Sequence, residues 1–214
     1  KSASLAYFGR LIYSYDNRYS VQANFRADAF DSSKLSKQNR WGYFPSFSAG
    51  WVLSREPWMK DLKGLDNLKL RASWGKLGNN SIGNYDWQST YGTTKYSFGG
   101  EIINGLSITA IKNYALTWEE TAVTNVGVDF GLLDNRLTGT VDAYNKHTSG
   151  ILYTPSMYMV MGNASAPKQN IAEVTNRGIE IELGWRDQIG KDFHYSITAN
   201  VSLNRNRVSK YNGK

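Results

Sequence analysis

The chain contains 214 residues, with 25 Lys and Arg against 18 Asp and Glu, a net charge of +7 and no cysteine. The absence of cysteine excludes disulfides and thiolate metal sites. The basic residues are scattered and form no basic helix, which argues against nucleic-acid binding. No stretch approaches the roughly 18 consecutive apolar residues of a transmembrane helix.

Aromatic residues make up 14% of the chain, and glycine, with 20 residues, is far more frequent than proline, with 4. Many aromatic residues and glycines on short alternating segments are typical of a β-barrel or a β-sandwich. The first residues do not form a signal peptide, which predicts either a cytoplasmic protein or a piece of a longer one.

Eight segments alternate between apolar and polar residues, which predicts β-strands with one apolar face. The first four are Leu5–Tyr15, Tyr19–Asp28, Pro45–Ser54 and Leu68–Gly75. The fifth and sixth form a hairpin over Thr124–His147, separated by the break Leu133–Arg136. The last two are Thr175–Arg186 and Phe193–Asn204.

The hairpin shows the two faces clearly. One face is apolar and consists of Val126, Val128, Phe130, Leu132, Leu137 and Val141. The opposite face is polar and includes Asp129, Thr138, Thr140 and Asp142. The pattern alone does not decide whether the apolar face covers a protein core or contacts lipid.

The predicted connections alternate between short and long ones. Three are short turns, and the long ones are Ala29–Phe44, Lys76–Thr117 and Thr154–Ala172. Short turns at one end and long loops at the other are characteristic of outer-membrane barrels. Ser54–Asn67 is the exception, a longer connection at the short-turn end, where Pro57 predicts the start of a helical turn.

Three features favour a membrane barrel over a soluble sandwich. The polar face is rich in Ser, Thr, Asn and Gln, which suits a wet lumen. A ten-residue strand tilted by about 45° covers about 23 Å, close to the apolar band of such a barrel. Aromatic residues gather beside the short turns, as an interfacial girdle requires; these are Tyr13, Tyr15, Tyr19, Trp185, Phe193 and Tyr195.

Several long phrases make the chain resemble a known family. They are "YFGRLIYSYDNRYSVQANFRAD", "RWGYFPSFSAGWVLSREPW", "LKLRASWGKLGN", "LTWEETAVTNVGVDFGLLDNRLTGTVDAYNKHTSGIL", "EVTNRGIEIELGW" and "NVSLNRNRV". In order and spacing they resemble the SusC/RagA-type TonB-linked outer-membrane transporters of Bacteroidetes. The resemblance covers nearly the whole chain and is weakest over Ser89–Ala115.

The resemblance implies an all-β fold. The chain would be an antiparallel transmembrane β-barrel wall segment of about eight strands, and the whole barrel would have about 22 strands and a plug. Residues 1–214 would then be a partial barrel domain from the C-terminal half, without the plug and the remaining strands. The expected location is the bacterial outer membrane. The apolar face of the hairpin would contact outer-membrane lipid, and its polar face would line the lumen.

The resemblance also implies a function and its partners. Such transporters import large nutrients, oligosaccharides or peptides, with a SusD-like surface lipoprotein above the barrel. The TonB complex powers uptake through the plug. Two alternatives from other classes stay open: a soluble or surface β-sandwich that binds glycans or acts as an adhesin, and a complete small eight-stranded outer-membrane barrel.

No enzyme, cofactor or metal site is predicted. Glu180 and Glu182 share one strand face about 6.6 Å apart, a spacing compatible with an inverting glycosidase, but two lumen-facing carboxylates are the simpler interpretation. His147 and His194 are the only histidines and have no second histidine at a metal-ligand spacing.

The aromatic residues of the predicted long loops are candidates for contact with a ligand or a partner, since aromatic planes stack on sugar rings and are common at interfaces. These candidates are Trp41, Tyr43, Trp87, Tyr91, Tyr96, Phe98, Tyr114 and Tyr158. Tyr158 lies in the apolar segment "SMYMVMG", for which partner contact is predicted.

Overall fold

The computed structural model of the chain describes residues 3–59, 62–156 and 164–211. Most of these residues lie in ten strands. In chain order the strands are β1 (Ser4–Tyr15), β2 (Tyr19–Phe30), β3 (Trp41–Val52), β4 (Leu65–Asn79), β5 (Thr90–Phe98), β6 (Glu101–Ala110), β7 (Glu119–Leu132), β8 (Leu137–Tyr153), β9 (Gln169–Ile189) and β10 (Phe193–Lys210).

Eight of the strands form one antiparallel sheet in the order β1-β2-β3-β4-β7-β8-β9-β10. The eight predicted strands are therefore confirmed. Within the described residues β1 pairs only with β2 and β10 only with β9, so the sheet does not close on itself. The alternative of a complete eight-stranded barrel is not favoured, because closure would require these two edge strands to pair.

The segment predicted as one long connection after β4 contains a hairpin. β5 and β6 pair with each other in a separate two-stranded sheet. Their turn is Gly99-Gly100, with φ of 62° and 86°, a backbone conformation that glycine adopts without a steric penalty. The prediction that Lys76–Thr117 is a loop was wrong here, since it overlooked this two-glycine hairpin signal.

Several strands are also longer than predicted. β9 spans 21 residues and β10 spans 18, whereas the apolar alternation is shorter in both. Hydrogen bonding continues into polar sequence at the long-loop end, where Arg177 still pairs with Arg205. The alternation marks only the part of a strand that has apolar surroundings on one side. The hydrogen-bonded ladder between the strands continues beyond that part.

Two of the three short connections lie where they were predicted, and the third is shorter than the predicted Asp187–Lys191 because β9 continues to Ile189. Asp16 and Asn17, both with φ of 49°, form the tight turn between β1 and β2. The longer connection after β3 contains two short 3₁₀ helices, Leu53–Arg55 and Pro57–Met59, and Pro57 begins the second as predicted. No helix in the described part of the chain has the length and hydrophobicity needed to cross a membrane.

Candidate functional site

The two faces of the eight-stranded sheet differ completely in chemistry. On one face apolar side chains lie opposite one another from strand to strand, as in the pairs Val128–Val141, Val141–Ile181 and Ile181–Val201. Many of them are exposed; Leu11, for example, is 70% exposed and Leu203 67%. An apolar band of this width requires a nonaqueous surrounding, because a single sheet provides no second layer to cover it.

Aromatic rings border this apolar face at both ends of the strands. At the long-loop end, the Trp41 ring stacks on Tyr7 and Tyr43, with ring centroids 6.1 and 6.4 Å apart. At the short-turn end, Tyr19 stacks between Tyr15 and Trp51 at 6.4 and 6.2 Å. The predicted girdle at the short turns is therefore present, and a second girdle lies at the opposite ends of the strands.

The opposite face carries a charged cluster centred on Arg71 of β4. Its guanidinium donates to both carboxylate oxygens of Asp129 at 2.8 Å and to Asp142 at 3.0 Å. The Thr140 hydroxyl also donates to Asp129, at 3.2 Å. Three of the four hairpin residues predicted to be polar and inward-facing, Asp129, Thr140 and Asp142, thus form one network with Arg71 that joins three adjacent strands.

Glycine at position 127 makes this network possible. A Cβ at Gly127 would lie 2.3 Å from Oδ1 of Asp142 and 2.7 Å from Nη2 of Arg71. Any larger residue would therefore displace the carboxylate or the guanidinium. The network therefore requires a residue without a side chain at position 127, so that the charged groups can approach the backbone closely.

Glu180 and Glu182 lie on the same polar face, opposite Asp142 and Thr140 of β8 in the strand register. They line an open groove of about 350 Å³ together with Asn200 and Ser202 of β10 and neighbouring residues. The two carboxylates point into an open polar surface, and no group of three or more possible metal ligands occurs in the described ranges.

The long connections pack together into a cap above one end of the sheet. Its hydrophobic core comprises Leu35, Phe44, Ile82, Leu116 and Trp118, of which Leu35 and Leu116 are fully buried. We refer to this group as the loop core. Its members come from the β2–β3 connection, from β3 and from the segments on either side of the β5–β6 hairpin.

Hydrogen bonds tie the same segments together. The Asn39 side chain donates to the carbonyl oxygens of Tyr114 and Leu116, at 3.0 and 3.2 Å. Lys168 donates to Asp86 at 2.7 Å, which connects the β8–β9 connection to the cap. The described parts of the three long connections therefore form one packed unit.

Sequence reasoning missed the loop core. None of its five residues was a predicted site residue, because isolated apolar residues in segments without periodicity give no structural signal. The spacing of Leu116 and Trp118, immediately before the apolar alternation of β7, was the only available indication.

The seven predicted aromatic residues that the structure describes fall into three groups. Trp41 and Tyr43 are not in a loop, as was predicted, but in β3 and on the apolar face; the prediction failed because Pro45 was taken as the start of that strand. Trp87 and Tyr114 contact each other at 5.5 Å beside the loop core. Tyr91, Tyr96 and Phe98 are exposed on β5. Tyr158 lies outside the described residues.

The short-turn end carries a buried carboxylate. Glu56, 5% exposed, accepts hydrogen bonds from the Tyr19 hydroxyl, from Trp51 Nε1 at 2.9 Å and from Arg18 at 3.0 Å. The Tyr19 hydroxyl, followed by Trp51 and the charge of Arg18, lowers the pKa of Glu56 below its ordinary value of 4.5. This carboxylate fastens the connection after β3 to the β1–β2 turn.

These features together define a wall segment of an outer-membrane β-barrel. The sheet is open and antiparallel, one face carries an apolar band between two aromatic girdles, the opposite face is charged, and long loops cap one end. The match to a family model is consistent with this class. The model is described as "TonB dependent receptor-like, beta-barrel" and matches residues 1–214. The chain belongs to this family.

Relatives of known identity are similar over nearly the whole chain. The TonB-dependent receptor SusC of Bacteroides thetaiotaomicron is 34% identical over 220 residues, which cover 100% of this chain and 21% of SusC. The TonB-dependent receptor P3 of Formosa agariphila is 33% identical, covering 95% of this chain and 20% of that protein. The chain thus spans about a fifth of the length of these relatives.

A solved structure gives the same result. The RagAB peptide importer in its open-open state matches with a TM-score of 0.87 and 28% identity, over 99% of this chain and 22% of the matched chain. The resemblance to SusC/RagA-type transporters and the barrel-wall fold are confirmed. The outer-membrane location is confirmed as well, and the soluble sandwich is not favoured.

Proposed function

We propose that this chain is part of the wall of a TonB-dependent outer-membrane transporter that imports large nutrients, either oligosaccharides or peptides. The observation that carries the proposal is the contrast between the two sheet faces, one apolar across all eight strands and the other charged around Arg71. A transporter needs this combination, because the outer face contacts lipid and the inner face contacts a wet lumen.

Residues 1–214 would be a partial barrel domain in a longer protein. The plug and the remaining strands would then come from other parts of that protein, and the TonB complex would act through the plug. On this proposal Glu180 and Glu182 are lumen carboxylates and the protein is not an enzyme. Both residues line an open groove on the polar face, where bulk water would screen their charges.

The loop end is the surface where a SusD-like surface lipoprotein would bind. The β5–β6 hairpin extends from the loop core as a separate sheet and exposes apolar side chains, including Phe98 and Ile102 at 72% and Leu106 at 75%. Exposed apolar side chains of this size are typical of protein contact surfaces. We assign Tyr91, Tyr96 and Phe98 to contact with this partner or with the nutrient.

The other aromatic candidates have different surroundings. Trp87 donates its indole N–H to the Ser32 carbonyl at 2.9 Å and contacts Tyr114, so these two residues would shape the cap from which a ligand contact is made. For Trp41 and Tyr43 we propose a place at the lipid interface, because both rings lie in the stacked girdle on the apolar face.

Growth of the source bacterium tests the proposal. A strain without the gene for the full-length protein should fail to grow on one class of polymer, oligosaccharide or peptide, as the carbon source. It should grow normally on the corresponding monosaccharides or amino acids, which do not need an energised transporter. The full-length gene should restore growth only when the TonB system is intact. Normal growth of the deletion strain on both polymer classes would refute the proposal.

A further inference from the structure

Three arginines lie together on the apolar face, just beyond the end of the apolar band and toward the long loops. On β9 the outward residues run from Leu183 through Ile181 and Ile179 to Arg177. On β10 they continue from Leu203 to Arg205 and Arg207. We call these three arginines the arginine triad.

The strand register holds the triad close together. Arg177 and Arg205 are direct partners across the β9–β10 pair, so their Cβ atoms are about 5 Å apart. Arg207 follows Arg205 by two residues on the same face, about 6.6 Å farther along the strand. The three side chains line one groove of about 360 Å³ with Thr175 and Ser209, whose hydroxyl oxygens are 3.5 Å apart.

No carboxylate of the described residues pairs with the triad. Arg177 is flanked by described strands on both sides, by Asn145 of β8 and Arg205 of β10, and its Nε donates to the Asn145 side chain at 2.9 Å. In the ranges that the structure describes, none of the three arginines forms an ion pair. Like charges in direct opposition destabilise a sheet, so this arrangement favours an anion between them.

The nearest acidic group on this face already has partners. Glu173 lies 3.6 Å from the His147 imidazole and 3.6 Å from the Lys210 ammonium group. It lies four residues before Arg177 on β9 and pairs with Lys210 rather than with an arginine. The groove between the arginines therefore keeps a net positive charge, and the Ser209 hydroxyl, which accepts from Thr175, can donate a hydrogen bond to a ligand.

We propose that the arginine triad binds the phosphorylated headgroup of a lipid in the outer leaflet of the membrane. The long loops of an outer-membrane barrel are extracellular, which places the triad at the level of the outer-leaflet headgroups. Phosphate oxygens match the guanidinium donors of arginine in bidentate geometry. Ile179 and Leu203, directly below the triad on the same face, provide a surface for the acyl chains. Because the groove opens on the lipid side, a nutrient in the lumen would not reach it.

The test uses the full-length protein in a nonionic detergent, titrated with lipid A that carries two phosphates and, separately, with phosphatidylcholine. Binding is measured by native mass spectrometry. The triple variant Arg177→Gln, Arg205→Gln, Arg207→Gln should bind this lipid A about tenfold or more weakly than the wild type, because each lost contact is a charge-assisted hydrogen bond. Phosphatidylcholine binding should not change.

A matched control removes the same amount of charge at the same end of the molecule. Lys37, Lys95 and Lys112 are exposed in the loops and the hairpin, and their triple Gln variant should bind lipid A as the wild type does. The single variant Arg177→Gln should show an intermediate loss. This single variant keeps the proposal testable if the triple variant does not fold. The circular dichroism spectrum of each variant should show the same β-sheet signal as the wild type.

Three outcomes would overturn the proposal. One is equal lipid A binding by the wild type and the arginine triple variant. Another is an equal loss in the lysine control, which would indicate a general effect of charge. The third is displacement of lipid A by millimolar inorganic phosphate, which would identify free phosphate and not a lipid as the ligand.

Discussion

Replacing Arg71 with methionine is the sharpest test of the charged network on the lumen face. The substitution keeps an unbranched side chain but removes all three hydrogen bonds that the guanidinium donates to Asp129 and Asp142. These two carboxylates lie on adjacent strands, β7 and β8, and would then repel each other without a cation between them. The expected result is a less stable barrel wall at the β4–β7–β8 junction.

The size of the effect follows from partial burial. Removing one partner of a fully buried ion pair costs about 3–5 kcal/mol. Here the side chains of Arg71, Asp129 and Asp142 are 33%, 27% and 18% exposed, and water weakens such interactions. We therefore expect a loss of about 2 kcal/mol in the free energy of unfolding.

The measurement is urea-induced unfolding of the full-length protein in phospholipid vesicles, followed by tryptophan fluorescence. Lys69→Met is the matched control. Lys69 is a neighbouring cation on β4 and lies opposite Asp129 in the strand register. In the described residues it forms no ion pair. It should change stability by about 0.5 kcal/mol or less. Neutralising all three members, Arg71→Met with Asp129→Asn and Asp142→Asn, should restore most of the loss.

Two results would contradict this reasoning. If Arg71→Met and Lys69→Met have the same effect, the hydrogen-bonded geometry of the network contributes nothing beyond its charge. If the triple neutral variant is as unstable as Arg71→Met, the loss comes from packing and not from unpaired carboxylates.

Further predictions concern other parts of the fold. Glu56→Gln should lower the melting temperature at pH 7. Because the pKa of Glu56 is lowered in the folded protein, its contribution is fully present above its ordinary value of 4.5, and the difference should shrink as the pH falls below 4.5 and through the lowered pKa. Leu116→Ala, at a fully buried site, should cost the cap about 2–5 kcal/mol, seen as faster hydrogen exchange in the long connections but not in the main sheet. Gly127→Ala should destabilise the wall in the same urea assay, because its Cβ would lie 2.3 Å from Asp142 Oδ1.

The eight strands of the main sheet could be predicted because their surroundings impose period two. Each strand has a nonpolar environment on one side and a wet one on the other, and the sequence must alternate accordingly. In β7, for example, Val128 lies on the apolar face and the next residue, Asp129, lies on the polar face. The same reasoning gave the short turns, where Asp16 and Asn17 supply residues that tolerate a left-handed backbone.

The loop end could not be predicted in the same way, for two physical reasons. The β5–β6 hairpin exposes apolar residues on both of its faces, Tyr91 and Leu106 on one and Tyr96 and Ile103 on the other, so it has no alternation. The loop core forms from contacts between distant segments, such as Leu35 with Leu116, and distant contacts leave no local pattern. The local indications at this end were the Gly99-Gly100 turn and the spacing of Leu116 and Trp118.

These two parts of the chain are under different constraints, and under the proposed function this difference would let one wall serve different nutrients. The apolar band must match the thickness of the membrane, and a charged residue inside it would cost several kcal/mol in lipid. The cap has no such restriction, because its stability rests on a compact loop core and on hydrogen bonds from side chains to backbone carbonyls, like those that the Asn39 amide donates. Substitutions in the exposed hairpin beyond Thr90 would change what the surface contacts without disturbing the core beneath it. Selectivity for a nutrient or a partner should therefore reside in the hairpin and the cap, while the arginine triad and the girdles fix the height of the barrel in the membrane.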